Sequence, residues 1–288
     1  MVTLYEEVRA ALRNSDFRPK KKLGQNFLVH KNVIESILRL LQLSPGDEIV
    51  EIGPGLGFLT RRLVEVASKV WAIEIDDFLA DWLRRSSLAS NPAFELIHAD
   101  ILKVALENIL PPYKIKLAAN LPYSISTPAL FRLFGWRNHF AFLVLMVQKE
   151  LADRIVSGPG TKTYGSLSVW CQIHGRVVEK VSVSPEAFFP RPAVRSMILK
   201  IELYPEPRVP PAELADFRAL VRSAFGQRRK TLSNALSSSL KHDRDTIEGI
   251  LRSEGIDPKR RGETLSLEEF ISLSRSLKQL SIPSLETA

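Results

Sequence analysis

The sequence predicts an α/β fold, in which a Rossmann-like, mostly parallel sheet of seven strands is followed by a small all-helical domain. Two observations support this prediction. Short apolar runs alternate with amphipathic segments of helical spacing over residues 48–148, a pattern typical of parallel strands joined by right-handed helical crossovers. After a proline-rich stretch at 204–213, every apolar pattern has helical spacing.

The apolar runs define the strands of the predicted sheet. In chain order they are 48–53, 69–76, 94–100, 115–120, 140–148, 176–184 and 195–203. The last two runs flank the segment PEAFFPRPAV and are expected to form a terminal hairpin on the same sheet. Two helices are predicted ahead of the first strand, over residues 3–14 and 31–43.

The chain divides at YPEPRVPPAE (204–213), whose four prolines predict a stiff linker. We therefore expect one domain at residues 1–205 and a helical domain at residues 206–288. In the last helix, Ser266 precedes Glu269 by three positions, which resembles a capping box.

The chain of 288 residues has a net charge of +8, which favours a polyanionic partner such as a nucleic acid. The basic residues concentrate in RPKKK (18–22), QRRK (227–230) and KRR (259–261). These clusters are candidate phosphate contacts, although charge alone is equally consistent with an unspecialised basic surface.

Several classes of protein are disfavoured. Cys171 is the only cysteine, so the sequence offers neither a disulfide framework nor a thiolate metal site. The histidines have no ligand spacing, and no metal site is predicted. No apolar stretch reaches the roughly 20 residues that span a bilayer, and the N-terminus lacks a secretory apolar region. We expect a cytoplasmic protein without a membrane partner.

A ligand site is predicted where the first three strands end. Gly53, Gly55 and Gly57 follow the first strand and permit a tight turn that a ligand approaches closely. Glu74 ends the second strand, at a position suited to binding ribose hydroxyls, and Asp100 ends the third. A purely structural turn would explain the glycines alone but not the two acids.

The spacing of the glycines is G-x-G-x-G rather than the G-x-G-x-x-G of dinucleotide binders. Pro54 also removes one N–H group that such a loop would offer to a phosphate. These features favour S-adenosylmethionine, an adenosyl ligand without phosphates. A nucleotide-dependent oxidoreductase is the alternative.

A second motif, NLPYSIST (120–127), follows the fourth strand. The Asn120 side-chain oxygen and a backbone carbonyl near Leu121 or Pro122 are suited to accept the N–H bonds of an exocyclic adenine amine, leaving its lone pair free to attack a methyl sulfonium. Tyr123 offers a flat face to a base removed from its stack. An ordinary turn with a core tyrosine is the alternative.

Two further aromatic residues are open to two interpretations. Phe188, in AFFPRP, is either the opposite wall of a base pocket or plain hairpin core. Tyr164 belongs to a flexible Gly/Pro-containing loop at 158–165, next to the same edge of the sheet. Either it gates the site or contacts RNA, or the loop is an ordinary surface loop.

The motifs together resemble the KsgA-type (RsmA) ribosomal RNA adenine dimethyltransferases over essentially the whole chain. The segments that resemble this family are KKLGQNFL (21–28), EIGPGLGFLT (51–60), NLPYSIST, VQKELADRIVSGPGTKTYGSLSV (147–169), AFFPRPAVRS (187–196) and FGQRRKTLSNAL (225–236). The resemblance implies the S-adenosylmethionine-dependent methyltransferase sheet and dimethylation of N6 on two adjacent adenosines, in a hairpin loop near the 3′ end of small-subunit rRNA.

The resemblance also implies roles for individual residues. Asn26 and Leu28 would contact the methionine end of the cofactor, and Gly53 would line the glycine loop. Glu74 would bind the ribose and Asp100 the adenine amine. The residues implied to handle the target base are Asn120, which also borders the cofactor, with Leu121, Pro122, Tyr123 and, as stacking partner, Phe188.

In this interpretation, residues 1–205 bind the cofactor and catalyse the reaction, and residues 206–288 bind RNA. The expected partner is small-subunit rRNA in a pre-ribosomal particle, and the expected oligomeric state is a monomer. The alternatives are a large-subunit rRNA adenine methyltransferase of the macrolide-resistance type and a non-catalytic ribosome assembly factor.

Overall fold

The structure, a computed structural model, describes residues 3–13, 17–20, 23–122 and 124–278. These residues form two compact units. The first comprises the described residues up to 152 together with 177–205, and the second comprises 153–176 and the described residues from 206. No helix in the described part of the chain is long and apolar enough to span a membrane.

The helices and strands follow one another in the alternating order that the sequence predicts. The helices are α1 (Leu4–Arg13), α2 (Lys31–Leu41), α3 (Phe58–Leu63), α4 (Asp77–Arg85), α5 (Ser126–Gly135), α6 (Lys149–Val156), α7 (Ser166–His174), α8 (Leu214–Gly226), α9 (Leu232–Leu240), α10 (Arg244–Ser253) and α11 (Leu267–Lys278). The strands are β1 (Phe27–Leu28), β2 (Glu48–Ile52), β3 (Lys69–Glu74), β4 (Phe94–His98), β5 (Ile115–Asn120), β6 (Phe140–Gln148), β7 (Gly175–Val183), β8 (Phe188–Phe189) and β9 (Ser196–Leu203).

The main sheet has seven strands within the described residues, in the order β4-β3-β2-β5-β6-β9-β7. The five strands from β4 to β6 pair in parallel, and β9 pairs antiparallel to β6. This arrangement confirms the predicted seven-stranded α/β fold. It also confirms that the last two predicted strands, which are β7 and β9, are neighbours in the sheet. Because the parallel strands run in one direction, the chain leaves β2, β3, β4 and β5 at the same edge of the sheet, called the carboxyl edge below.

A second, two-stranded sheet joins distant segments of the first unit. Phe27 pairs with Phe189 and Leu28 with Phe188, antiparallel. The rings of Phe17 and Phe78 stack at 4.4 Å, so that the segment preceding β1 also packs on α4. The N-terminal segment is therefore part of the core of this unit, where Phe17, Phe27 and Phe188 are all buried.

The second unit has a core of its own, built from the apolar faces of α7 to α11. The predicted capping box is present, because the N–H of Ser266 donates to Glu269 Oε2 at 2.7 Å and the N–H of Glu269 donates to Ser266 Oγ at 3.1 Å. The box satisfies backbone donors at the start of α11.

The compact units differ from the division predicted at 205/206, because residues 153–176 pack with the C-terminal helices. Val169 and Ile173 of α7 are fully buried in the core that also contains Phe217. Tyr164 is also buried there, and its hydroxyl donates to the carbonyl of Leu265. The ring of Tyr164 therefore fills the core and does not itself gate the site or contact RNA, whereas residues 159–163 of its loop are exposed.

Candidate functional site

A cavity opens at the carboxyl edge of the first unit, between the strand ends and the N-terminal segment. The predicted site residues that line it are Asn26, Leu28, Gly53, Glu74, Asp100, Asn120, Leu121, Pro122 and Phe188. Tyr123 lies outside the described residues. Six separate stretches of sequence thus contribute predicted site residues to a single cavity.

The glycine turn after β2 forms the floor of the cavity and requires residues without a Cβ. Gly53, Gly55 and Gly57 have positive φ angles of 74°, 60° and 82°, a region that favours glycine. A Cβ on Gly57 would lie 2.9 Å from Leu88 Cδ1, and one on Gly55 would lie 3.2 Å from the ring of Phe27. The turn therefore needs glycine for both its conformation and its packing.

Glu74, at the end of β3, is held by the backbone around it. Its carboxylate accepts hydrogen bonds from the N–H groups of Gly55 at 3.2 Å, Ile75 at 3.0 Å and Asp76 at 2.9 Å. Burial raises the pKa of Glu74 above its usual value, although these hydrogen bonds oppose the shift. The side chain is fixed in orientation at the cavity wall, and its Oε2, which accepts a single hydrogen bond, can accept another from a ligand hydroxyl.

Glu51, in β2, is a polar residue of the cavity wall that the sequence analysis missed. It is 3% exposed, and its Oε2 has no hydrogen-bond partner in the described part of the chain. Burial raises its pKa to about 7, and the nearby Glu74 carboxylate adds to the shift while the Thr60 hydroxyl opposes it. A charged residue inside the buried strand EIVEI was the available signal.

Asp100 and Asn120 retain acceptor atoms toward the cavity. Asp100 Oδ1 accepts from the N–H of Leu102 at 2.8 Å, whereas its Oδ2 has no partner among the described residues. Asn120 uses its Nδ2 to donate to the carbonyl of Asn26 at 3.3 Å. This bond orients the amide so that Asn120 Oδ1 is available as an acceptor.

The two backbone carbonyls after Asn120 differ in their availability. The Pro122 carbonyl accepts from Ile125 N–H at 3.1 Å and from Ser126 Oγ at 2.9 Å, which occupies both of its lone pairs. The Leu121 carbonyl has only a 3.5 Å contact from the same hydroxyl. Between the two carbonyls considered from the sequence, Leu121 therefore has the greater remaining capacity to accept a hydrogen bond.

Phe188 takes part in both of the environments considered for it. It lines the cavity and is also 4% exposed, packed in the core and paired with Leu28. The structure thus brings Phe188 to the site through the small β1–β8 sheet rather than through the main sheet.

The residues of the cavity fit an adenosyl ligand. The wall combines apolar side chains such as Ile73, Ile75 and Leu79 with the acceptors of Glu74 and Asp100. Glu51, which also lines the cavity, has a buried carboxylate oxygen without a partner among the described residues, and such an atom is costly unless a ligand or water satisfies it. The wall therefore offers acceptors for hydroxyl and amino groups beside an apolar lining.

Comparison with known proteins agrees with this chemistry. The family model described as ribosomal RNA adenine dimethylase matches residues 16–277. A curated relative from Geobacter sulfurreducens, named ribosomal RNA small subunit methyltransferase A, is 45% identical over 272 residues, covering 92% of this chain and 98% of its own. A relative of the same name from Clostridium botulinum is 44% identical over 260 residues, covering 90% and 94%.

Solved structures resemble the chain over most of its length. A dimethyladenosine transferase from Plasmodium falciparum matches with a TM-score of 0.74 and 25% identity, covering 89% of this chain and 98% of that one. The 23S rRNA methyltransferase ErmE matches with a TM-score of 0.67 and 26% identity, covering 88% and 100%.

These matches confirm the enzyme class and the cofactor predicted from the sequence. The chain is an rRNA adenine dimethyltransferase that uses S-adenosylmethionine. With a family match that spans nearly the whole described chain, it belongs to the ribosomal RNA adenine dimethylase family.

Proposed function

We propose that this enzyme transfers methyl groups to N6 of two adjacent adenosines in the 3′-terminal hairpin loop of small-subunit rRNA, giving N6,N6-dimethyladenosine. The observation that supports this most strongly is the convergence of the glycine turn, Glu74, Asp100 and Asn120 on one cavity in a member of this family. The small subunit is favoured because relatives at 45% and 44% identity are named for it.

In the proposed site, Glu74 binds the ribose hydroxyls and Asp100 the adenine amine of the cofactor. Asn26 and Leu28 border its methionine end, next to the turn at Gly53. When bound, S-adenosylmethionine supplies an electrophilic methyl group on a sulfonium. The chain's contribution is to hold that group still and to exclude water from it.

The target adenine binds beside Asn120. Its amine is a poor nucleophile because the nitrogen lone pair is conjugated with the ring. Asn120 Oδ1 and the Leu121 carbonyl accept its two N–H bonds, which favours a pyramidal nitrogen with an available lone pair. Pro122 and Tyr123 complete the base motif, and Phe188 is the stacking partner. The base has to leave its stack, which costs a few kcal/mol that aromatic contacts help to offset.

The second unit is proposed to bind RNA through its basic loops. Three loops of this unit contact one another, namely 158–165, 227–232 and 257–264. The N–H of Leu232 donates to the carbonyl of Arg260, and the guanidinium of Arg228 donates to the carbonyl of Lys162. Arg228 and Arg260 pair with Glu263 and Glu269 inside the unit. In these three loops, the exposed cations that have no ion-pair partner among the described residues, and so are available for phosphates, are Lys162, Arg229, Lys230, Lys259 and Arg261.

The rRNA substrate is proposed to be presented in a pre-ribosomal particle in the cytoplasm, with the enzyme acting as a monomer. The basic surface of the second unit is suited to contact rRNA beyond the target hairpin.

Transfer of labelled methyl from S-adenosylmethionine to small subunits lacking adenine dimethylation tests the proposal, with large subunits in parallel. We expect dimethyladenosine only in the small subunit. Label only in the large subunit would move the substrate to that of the resistance-type relatives. Cofactor binding without label in either would favour an assembly factor.

A further inference from the structure

One wall of the cofactor cavity is contributed by a segment that precedes the sheet in sequence. Residues 23–28 line the cavity, and the ring of Phe27 lies against Gly55 of the glycine turn. The carbonyl of Asn26 accepts the hydrogen bond that orients Asn120. The position of this segment therefore determines the geometry at both the cofactor side and the target-base side of the cavity.

A buried carboxylate outside the cavity lining ties this segment to the sheet. Asp76, whose side chain is 0% exposed, lies 2.7 Å from Lys20 Nζ and accepts a hydrogen bond from Gln25 Nε2 at 3.1 Å. The Gln25 side chain also accepts from the N–H of Lys20 at 2.7 Å, which ties Lys20 directly to Gln25. Asp76 in addition caps α4 by accepting from the N–H of Leu79.

Asp76 is also hydrogen-bonded to Glu74, the residue predicted to bind the ribose. The N–H of Asp76 donates to Glu74 Oε1 at 2.9 Å, two positions earlier in the chain. The backbone of Asp76 therefore fixes Glu74, while its side chain fixes residues 20 and 25.

We propose that Asp76 is a positioning residue for cofactor binding, which holds residues 23–26 against the cavity through its contacts with Lys20 and Gln25. This inference depends on the assignment of S-adenosylmethionine to this cavity. It assigns Lys20, a member of the basic cluster RPKKK, to an internal ion pair rather than to a phosphate contact.

Because Asp76 is buried and Lys20 is half-exposed, substituting Lys20 should weaken cofactor binding more than substituting Asp76. The side chain of Lys20 is 49% exposed and that of Asp76 is 0% exposed. Removing the ammonium leaves a desolvated carboxylate without its counter-ion, whereas removing the carboxylate charge leaves a lysine in water. Asparagine also caps helices as well as aspartate does, so Asp76→Asn keeps the start of α4.

The test is the dissociation constant of S-adenosylhomocysteine, measured by calorimetry on the full chain. We expect Lys20→Met to weaken binding about five- to tenfold, with a smaller loss for Asp76→Asn. The double variant should bind no more weakly than Lys20→Met, because the uncompensated charge is gone. Lys20→Arg should retain most of the affinity. Lys69→Met is the matched control, because Lys69 Nζ lies 2.6 Å from Glu95 Oε2 and neither residue lines the cavity.

The outcomes separate this inference from the cofactor assignment. Wild-type protein that fails to bind S-adenosylhomocysteine would overturn the assignment itself. Wild-type binding with Lys20→Met equal to Lys69→Met would overturn the positioning role alone, as would a higher KM for rRNA with unchanged cofactor affinity. If Lys20→Met does not fold, Asp76→Asn is compared with wild type and with Lys20→Arg, which should retain its affinity. An Asp76→Asn protein that binds S-adenosylhomocysteine as tightly as wild type would contradict the role.

Discussion

The two edges of the main sheet use the same types of polar residue in opposite ways. At the amino edge, where the parallel strands begin, polar groups pair with one another. Lys116 Nζ lies 2.6 Å from Asp47 Oδ2 and 2.7 Å from the carbonyl of Gln42. Glu48 accepts hydrogen bonds from Tyr113 Oη at 2.7 Å and Trp71 Nε1 at 3.3 Å.

At the carboxyl edge, polar groups keep atoms without partners. Glu51 Oε2 is buried and unpaired, and within the described residues Asp100 Oδ2 and Asn120 Oδ1 accept no hydrogen bond. Leaving a buried atom such as Glu51 Oε2 unpaired is costly in a folded protein. The contrast shows that the amino edge stabilises the fold, whereas the carboxyl edge has the unfilled hydrogen-bonding capacity that a ligand requires.

The largest expected effect is that of Asn120→Ala. Loss of the acceptor for the target amine should reduce methyl transfer to rRNA about a thousandfold. The affinity for S-adenosylhomocysteine should change by no more than a few-fold. Initial rates with saturating cofactor measure the loss, and Asn91→Ala, in a loop before β4, is a control. Wild-type turnover by Asn120→Ala would contradict the proposed role.

Glu51→Gln should stabilise the ligand-free protein at alkaline pH. The folded pKa of about 7 lies above the usual value, so the unfolded chain releases this proton first as the pH rises. The free energy of unfolding therefore falls as the pH rises from the usual pKa of a glutamate to the folded pKa of Glu51, and glutamine avoids this loss. Urea unfolding should give Glu51→Gln an advantage on the order of 2 kcal/mol at pH 8 and none near pH 4.

The matched variant at the amino edge is Glu48→Gln, which should bring no gain, because Glu48 already accepts two hydrogen bonds. Equal gains from the two glutamine variants would remove the distinction between the edges.

Lys116→Met should destabilise the fold without affecting the site. Burial raises the pKa of Asp47, but the hydrogen bonds from Lys116 and Ser44 outweigh it and hold that pKa below its usual value. We expect a loss of about 2 kcal/mol in the free energy of unfolding at pH 7. This loss should disappear as the pH falls through the folded pKa of Asp47. A weakened affinity for S-adenosylhomocysteine would contradict the division between the edges.

Ser126→Ala should give the smallest effect. Ser126 is 1% exposed and its hydroxyl holds the Pro122 carbonyl, which orients the backbone next to Asn120. We expect kcat to fall about tenfold with unchanged cofactor affinity. Ser68→Ala is the control at the amino edge, since Ser68 Oγ contacts the carbonyls of Gly46 and Asp47 in the same way. Equal kcat values for the two variants would exclude the positioning effect.

Periodicity was sufficient to predict the sheet. Each parallel strand of the main sheet is a short, mostly apolar run, and its neighbours in sequence are amphipathic, so local pattern and tertiary position agree. The placement of residues 153–176 with the helical unit was not predictable in this way. Their packing depends on Tyr164 and Ile173 joining a core that contains Phe217, a residue distant from both in sequence.

The site was predictable wherever a polar residue ends a strand, as at Glu74, Asp100 and Asn120. Glu51 was missed because it lies within a strand, and Asp76 because its role depends on Lys20 and Gln25, more than fifty positions earlier. Pro122 and Leu121 were not separable either, since the hydroxyl that occupies the Pro122 carbonyl comes from the following helix.

The most direct test of the proposed carboxyl-edge site is a crystal structure of the complex with S-adenosylhomocysteine. We expect the ribose hydroxyls on the Glu74 carboxylate, the adenine amine on Asp100 and the methionine end beside Asn26. A ligand bound elsewhere, or in this cavity with Glu74 and Asp100 making no contact to it, would contradict the account.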